Sequence, residues 1–370
     1  MEAETPTTTT TAAMKTTFLI MNGVILAVGN SGGPLIMRLY FIRGGKRIWF
    51  SSWLETGGWP IILIPLLAAY ISRRRRRRRS TTTAADGAAK LFLMKPRLFS
   101  AASAIGILTG LDDYLYAKGV AELPISTAAL LAATHLVFTA AFAFLLVKQK
   151  FTAYSVNAVV LLTVGTVVLG LHTSGDRPEG ESEKEYVVGF FMALSAAGLY
   201  GFILPVVELM YKKAKQALTY TLIMEIQLVI CFFATLFCTV GMLINNDFQA
   251  ISREAKEYEL GEMKYYLVVI WSAIIWQLFF LGVVGVIFYS SSLLCAIIIT
   301  VTIPITQILG VFIYNEKFQA EKGIALFLSL WGFISYFFGE ITKTKNSNEN
   351  NDQTRTTTET DRSSRQIIAS

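Results

Sequence analysis

The sequence is short of the residues that build metal centres, disulfide frameworks and polar surfaces. It holds three cysteines and two histidines in 370 residues. Cys231, Cys238 and Cys295 each fall inside an apolar stretch, where a thiol packs as a small hydrophobe and is expected to have no disulfide role. His135 and His172 belong to no His-Glu-x-x-His pattern, and no Cys-x-x-Cys pair occurs, so no metal site or cofactor is expected. Gly29-Asn30-Ser31-Gly32-Gly33 matches Gly-x-Ser-x-Gly in letters but lies inside an apolar helical run and not at a strand-to-helix turn, and there is no phosphate-binding Gly-x4-Gly-Lys-Ser/Thr loop. Hydrolytic chemistry and motion driven by the chain's own ATP hydrolysis therefore have no support, and an enzyme is not expected. Asn-x-Ser/Thr is also absent. Charged residues make up only 16% of the chain, against about 25% in soluble domains.

What is present is apolar: 53% of residues are hydrophobic. They form runs of roughly 20 residues, the length that crosses a hydrocarbon core of about 30 Å. Ten spans are expected, from Thr17 to Phe41, Trp49 to Ile71, Leu98 to Ala117, Pro124 to Val147, Thr152 to His172, Val187 to Met210, Thr219 to Ile244, Tyr265 to Tyr289, Ser290 to Tyr314 and Lys322 to Glu340. The eighth and ninth are divided only by Tyr289-Ser290-Ser291-Ser292, and a nine-span count is the competing reading. The first run is too long for a cleaved signal peptide and carries Arg38 at its far end, so it reads as a retained helix.

The net charge of +7 equals the contribution of the run Arg73 to Arg79. That run directly follows the second span, where basic residues hold a loop on the cytoplasmic side. Contact with anionic lipid headgroups fits it better than nucleic acid, and no nucleic-acid partner is expected. Lys148 and Lys150 after span four, and Lys212, Lys213 and Lys215 after span six, point the same way. The loops after spans five and seven are acidic on balance. Both termini should then be cytoplasmic, although Arg38, Arg43, Lys46 and Arg47 after span one argue against it. The Thr-rich start and the polar tail cannot bury a core and are expected to be disordered.

Two stretches echo each other about 170 residues apart. Pro34 with Leu39-Tyr40 matches Pro205 with Met210-Tyr211; Glu55 matches Glu225; Lys150-Phe151-Thr152-Ala153 matches Lys317-Phe318-Gln319-Ala320. Five spans per copy is an odd number, so the copies enter the membrane in opposite senses. The expected architecture is an all-α integral membrane protein of ten transmembrane helices, arranged as two inverted five-helix repeats. The segments are a disordered N-terminus (1–16), a first repeat (17–173) with a basic cytoplasmic loop (72–97), an acidic outer loop (174–186), a second repeat (187–341) and a disordered cytoplasmic tail (342–370). Two related halves can rock about a site at their junction, which is how secondary transporters work.

The site is expected where membrane helices break or carry ionisable groups, which are costly there. Asn30-Ser31-Gly32-Gly33-Pro34 should interrupt span one, and Pro205 should loosen span six. Asp112, Glu55, Glu225 and His135 are the candidates for coupling to protons. Of the adjacent pair Asp112 and Asp113, only one is expected to face a cavity, and Asp112 shares a helix face with Tyr116. Trp276, Gln277, Phe280, Gln227 and Gln307 offer ring faces and amides, which suit a planar ligand bearing donors and acceptors.

The chain also resembles a known family, the plant purine permeases of the drug/metabolite transporter superfamily. The resemblance runs from about Asn22 to Glu340. Its most specific stretches are Gly32-Gly33-Pro34, Arg38 to Phe41, Gly44 to Trp49, Gly110-Leu111-Asp112 with Tyr114-Leu115-Tyr116, Phe142 to Thr152, Lys184 to Phe190, Pro205 to Glu208 and Phe318 to Gly323. The resemblance implies proton-coupled import of adenine, cytokinins and related heterocycles, with nicotine-like alkaloids or pyridoxine as alternative substrates. It implies a multi-pass protein of the plasma membrane rather than the vacuolar membrane. His135 stands where relatives often have glutamine, and Gln307 where some have glutamate. A receptor that binds the ligand without moving it is the reading from another class.

Overall fold

The computed structural model describes residues 6–79, 93–123, 131–132, 134–171, 183–314, 320, 323–339 and 341–342. The helices are α1 (Pro6–Ile42), α2 (Ile48–Thr56), α3 (Pro60–Arg79), α4 (Pro96–Glu122), α5 (His135–Val147), α6 (Ala153–Leu171), α7 (Glu183–Lys212), α8 (Tyr220–Ile244), α9 (Asp247–Glu257), α10 (Glu262–Tyr289), α11 (Ser292–Tyr314) and α12 (Gly323–Gly339). No strand occurs among the described residues. Six helical stretches are long and apolar enough to cross a membrane: Met14–Ile42, Ile48–Arg75, Val187–Lys212, Tyr220–Ile244, Glu262–Tyr289 and Ser292–Tyr314. Three shorter apolar helices join them. Large apolar side chains face outward on many of these elements, Val24, Phe144, Phe232, Phe312, Trp331 and Phe338 among them. A water-soluble protein would bury such rings; a lipid-facing one exposes them.

Local chemistry sets the ends of the helices. Pro60 and Pro96 open α3 and α4, where a missing N–H costs nothing and φ is already helical. Thr219 Oγ1 accepts from Leu222 N at 3.3 Å and caps α8. The Ile42 end of α1 is closed by Gly44 at φ +105°, a conformation that L side chains avoid.

Several expectations meet a different structure. α1 begins at Pro6, within the stretch 1–16 expected to be disordered, because a proline at the first helical position extends the span helix outward. α3 continues to Arg79, through arginines placed in the loop 72–97. α1 also runs through Gly32, Gly33 and Pro34 without interruption. The interruption falls in the next span, at Gly57-Gly58-Trp59, between α2 and α3. A Cβ on Gly58 would lie 2.3 Å from the carbonyl oxygen of Ala273, so only glycine lets the broken segment rest on α10. α10 ends at Tyr289 and α11 begins at Ser292, so they are separate helices. Residues 80–92 of the connector 72–97, the connector 172–182 with His172, and the tail from residue 343 lie outside the described residues.

The helices pack in a regular pattern. α1 lies along α10 over the longest seam of the molecule, and it also touches α11. α4 packs on α7 and α8, and α5 on α7 and α11. α2 sits against α4, α8 and α10. In the α1–α10 seam a Cβ on Gly29 would lie 2.3 Å from Phe279 N, and one on Gly282 would lie 2.5 Å from Leu26 N. Small residues let the two backbones touch, the usual route to tight packing where lipid supplies no hydrophobic drive between helices. α12 packs on α6, with Asn157 Nδ2 donating to Ser335 Oγ at 3.0 Å and Tyr154 against Phe338.

The two ends of the bundle differ. At the Arg47 end, α9 is stapled over the α1–α2 connector. Glu254 accepts from Tyr40 Oη at 2.5 Å, Tyr265 Oη at 3.0 Å and Lys46 N at 3.1 Å. Asp247 pairs with Arg47 at 3.5 Å. At the Tyr289 end, the rings of Phe18, Tyr220 and Tyr289 stack with centroids 5.7–6.2 Å apart.

Candidate substrate cavity

Between the helices lies a cavity of about 660 Å³, lined from α1, α2, α4, α5, α7, α10 and α11. Its size falls within the range of about 300–1,000 Å³ that small-molecule sites occupy. Arg38, Lys46, Val120 and Ala121 line its mouth at the Arg47 end, where α1 and α4 finish. α6 and α12 contribute nothing to the lining.

Three carboxyl groups share this space: Glu55 from α2 and Asp112 and Asp113 from α4. Each is buried, and Glu55 Oε1, Asp112 Oδ1 and Asp113 Oδ2 have no hydrogen-bond partner. Glu55 lies within electrostatic range of both aspartates. Placing one charged group at the centre of a bilayer costs about 2.5–3.5 kcal/mol even on the mildest scale. Three unpartnered carboxyls at one place are therefore a site and not packing. Glu55 is presented by the last turn of α2, one residue before Thr56 and the glycine break.

Both aspartates line the cavity, which corrects the expectation that only one would. The cavity wraps around α4, between α2 on one side and α7 with α10 on the other, so two positions about 100° apart both meet it.

Aromatic rings line the same space. Tyr116 meets Trp276 edge-on at 6.3 Å, Trp276 meets Phe279 at 5.5 Å, and Tyr200 stacks on Phe279 at 6.2 Å. Phe280 completes this aromatic lining. Trp276 Nε1 and the Tyr200 hydroxyl have no hydrogen-bond partner, which leaves donors beside the ring faces. His135 lines the same cavity, and its Nδ1 donates to Ala132 O at 2.7 Å. A carbonyl can only accept, so this bond puts a proton on Nδ1. Asn30 lines the cavity, but its amide nitrogen is engaged by Ile299 O at 3.0 Å and Thr302 Oγ1 at 2.5 Å. Arg38 places its guanidinium 4.9 Å from the centre of the Tyr314 ring.

The structure thus brings Asn30, Pro34, Glu55, Asp112, Tyr116, His135, Trp276 and Phe280 to one space. Other expected site residues lie elsewhere. Glu225 accepts from Leu93 N at 2.7 Å and Met94 N at 3.2 Å, away from the cavity. Gln227 Nε2 is turned to Cys231 Sγ at 2.9 Å, and Gln277 is buried beside Gly58. Gly32 and Gly33 are covered by Ile275 and the Trp276 ring, and Pro205 is buried within α7. Gln307 is on α11, and its side chain is outside the described residues. Asp113, Tyr200 and Phe279 were missed. For Tyr200 the available signal was a tyrosine between glycines, Gly198-Leu199-Tyr200-Gly201, in a proline-bearing span.

Among the described residues no group of three His, Cys, Asp or Glu side chains could hold a metal. The arrangement offers ring faces on which a flat organic molecule can stack and carboxyls that can take up or release a proton.

Known proteins agree with a transport architecture. The profile of the purine nucleobase transmembrane transport family matches residues 17–346. Purine permease 3 of Arabidopsis thaliana is 55% identical over 323 residues, covering 87% of this chain and 90% of that protein. Purine permease 2 of the same plant is 53% identical over 339 residues, with 89% and 93% covered. One crystal structure shares the fold at a TM-score of 0.60 and 15% identity, over 86% of this chain and 97% of the other. The relatives bear the names of permeases and not of enzymes, and with the profile matched across nearly all the helices, the chain belongs to the purine permease family.

Proposed function

We propose that this chain is a proton-coupled secondary transporter that imports purine-type heterocycles, adenine and cytokinins among them, by alternating access. The observation that carries the reading is the cavity itself. It sets unpartnered carboxyls beside ring faces and reaches the Arg47 end of the bundle through Arg38, Lys46 and Ala121. A base would stack against Trp276 and Tyr116 while its edge meets Glu55, Asp112 or Asp113. Protonation from outside would let a carboxyl donate to a ring nitrogen, and loss of that proton on the other side would release the substrate. The driving energy is about 2.3 kcal/mol per charge per 100 mV of membrane potential.

Ten spans in two inverted halves fit the packing. In this reading α2 and α3 form one span and α9 lies at the surface. Exchanging the halves turns α1 into α7, α2–α3 into α8, α4 into α10, and α5 into α11. The pair α1–α10 then maps onto α7–α4, α1–α11 onto α7–α5, and α4–α8 onto α10–α2, and all of these pairs are in contact. With the arginines of α3 on the cytoplasmic side, both termini are cytoplasmic and the cavity opens outward. The plasma membrane is the place where such an importer acts.

The test is radiolabelled adenine uptake in yeast lacking its own purine permease, at acidic and at near-neutral external pH, with and without a protonophore. Uptake that is fast in acid and collapses with the protonophore is expected. No uptake by protein confirmed at the cell surface would remove adenine as substrate. Counterflow in proteoliposomes separates a carrier from a receptor, which cannot exchange internal for external ligand.

A further inference from the structure

We propose that Glu208 is the latch of the closed end, a positioning residue that holds the turn between α10 and α11 against α7 while the cavity stands open at the other end. The proposal rests on the alternating-access reading above and adds to it the part that must open.

Only Ser290 and Ser291 separate α10 from α11, so this tip cannot move without carrying both helices. Glu208 lies on α7, three residues beyond Pro205, and is buried. Its Oε2 accepts from Ser292 N at 2.7 Å and from Ser292 Oγ at 2.6 Å. Its Oε1 lies 2.9 Å from Lys212 Nζ. The carboxylate therefore sits on the first residue of α11, where the positive end of a helix dipole favours negative charge. Charge-assisted bonds of this kind are short and strong.

The bond crosses between helices with different main partners. α7 rests chiefly on α4 and α5, whereas α11 has its largest contact with α1, itself fused along its length to α10, and smaller ones with α5 and α7. Opening this end means drawing the α10–α11 tip away from α7, and that motion breaks both bonds to Ser292. The same tip is gripped from the other side, where Tyr289 stacks on Phe18 and Tyr220, and Tyr220 Oη donates to Asn22 Oδ1 at 3.3 Å. Glu208 does not line the cavity, so it has no substrate or transported proton to meet. Packing alone would be served by an apolar side chain. A buried carboxylate aimed at the first N–H of a two-residue turn serves a contact that forms and breaks.

The test reads the open end while the closed end is altered. Ala121 is exposed at the cavity mouth, so Ala121→Cys reports whether that mouth is open. Intact cells are treated with a membrane-impermeant maleimide, and protein without Ala121→Cys gives the background from the three buried native cysteines. Adding Glu208→Ala is expected to slow labelling per surface molecule about threefold or more, as the population leaves the state with the open mouth. Glu208→Gln keeps the shape and one acceptor and should slow it less. Loss of packing alone would lower the amount of protein without slowing the labelling of what remains. Unchanged or faster labelling in both variants overturns the latch. If Glu208→Ala does not reach the surface, Glu208→Gln decides by itself, slowed labelling supporting the latch and unchanged labelling removing it. No substrate is present in the assay, so failure of wild-type adenine uptake would sink the carrier reading while the labelling still decides the latch.

Discussion

The Arg47 end and the Tyr289 end are built from the same long helices and differ in what occupies the space between them. At the Tyr289 end the space is filled by stacked rings and by a carboxylate that reaches from α7 to α11. At the Arg47 end the polar contacts stand to one side: Glu254 and Asp247 tie α9 to the α1–α2 connector, and the path to Asp112 stays clear. Tight polar bonding is thus present at both ends. The difference is where those bonds run: the Glu208 bond links α7 to α11, whereas those of Glu254 and Asp247 stay with α1, its connector to α2, α9 and α10.

The sharpest way to break this comparison is at the bottom of the open path. Asp113→Asn, Asp112→Asn and Glu55→Gln should each reduce proton-driven adenine accumulation by about 100-fold, the scale of losing a positioned proton-transfer group. Binding or exchange should survive in part. Full accumulation in any one of them would remove that carboxyl from the proton path.

Next comes the closed end. Phe18→Ala with Tyr289→Ala removes all three stacked contacts among Phe18, Tyr220 and Tyr289, each about 0.5–1.5 kcal/mol, and should lower net uptake about tenfold by letting that end open. Uptake at the wild-type rate, with equal protein at the surface, would show that the stack does not seal it. At the open end, Glu254→Gln weakens bonds to Tyr40, Tyr265 and Lys46 beside the path and not across it. It should cost about 2 kcal/mol of stability and lower the melting temperature in detergent, with uptake per folded molecule close to normal. A large loss of uptake at unchanged melting temperature would mean that α9 takes part in gating. The smallest effect is expected from Glu225→Gln. Its carboxylate holds two backbone N–H groups, and an amide oxygen can still accept them, so uptake should change by less than about twofold. A loss as deep as that of Glu55→Gln would put Glu225 back in the proton path.

That last pair shows how far the sequence could be read. Glu55 and Glu225 occupy matching places in the two sequence stretches, but the structure gives them different surroundings: Glu55 lines the cavity, and Glu225 accepts from two N–H groups just before α4. In the inverted arrangement proposed above, equivalent places face opposite sides of the membrane, which accounts for the difference. The rings and carboxyls at Asp112, Tyr116, His135 and Trp276 were legible because each is costly or bulky inside an apolar run. Gln227 was not, because its amide is drawn to a cysteine one turn along the same helix. The break in the second span is written as Gly57-Gly58-Trp59-Pro60, a stretch close in composition to Gly32-Gly33-Pro34, which stays helical. A proline inside a helix removes one bond, and a long helix absorbs that, whereas a turn needs the backbone freedom of two glycines before it.

The touching backbones of α1 and α10 carry a consequence for motion. Where Gly29 meets Phe279 and Gly282 meets Leu26, no side chain lies between the two helices that could change rotamer and let them slide. One helix comes from the first half of the chain and the other from the second, yet their backbones are joined as a single beam. In the proposed alternating-access cycle, the boundary between the sequence halves and the dividing plane of the motion are therefore different surfaces. A pivot can pass beside this beam but not through it.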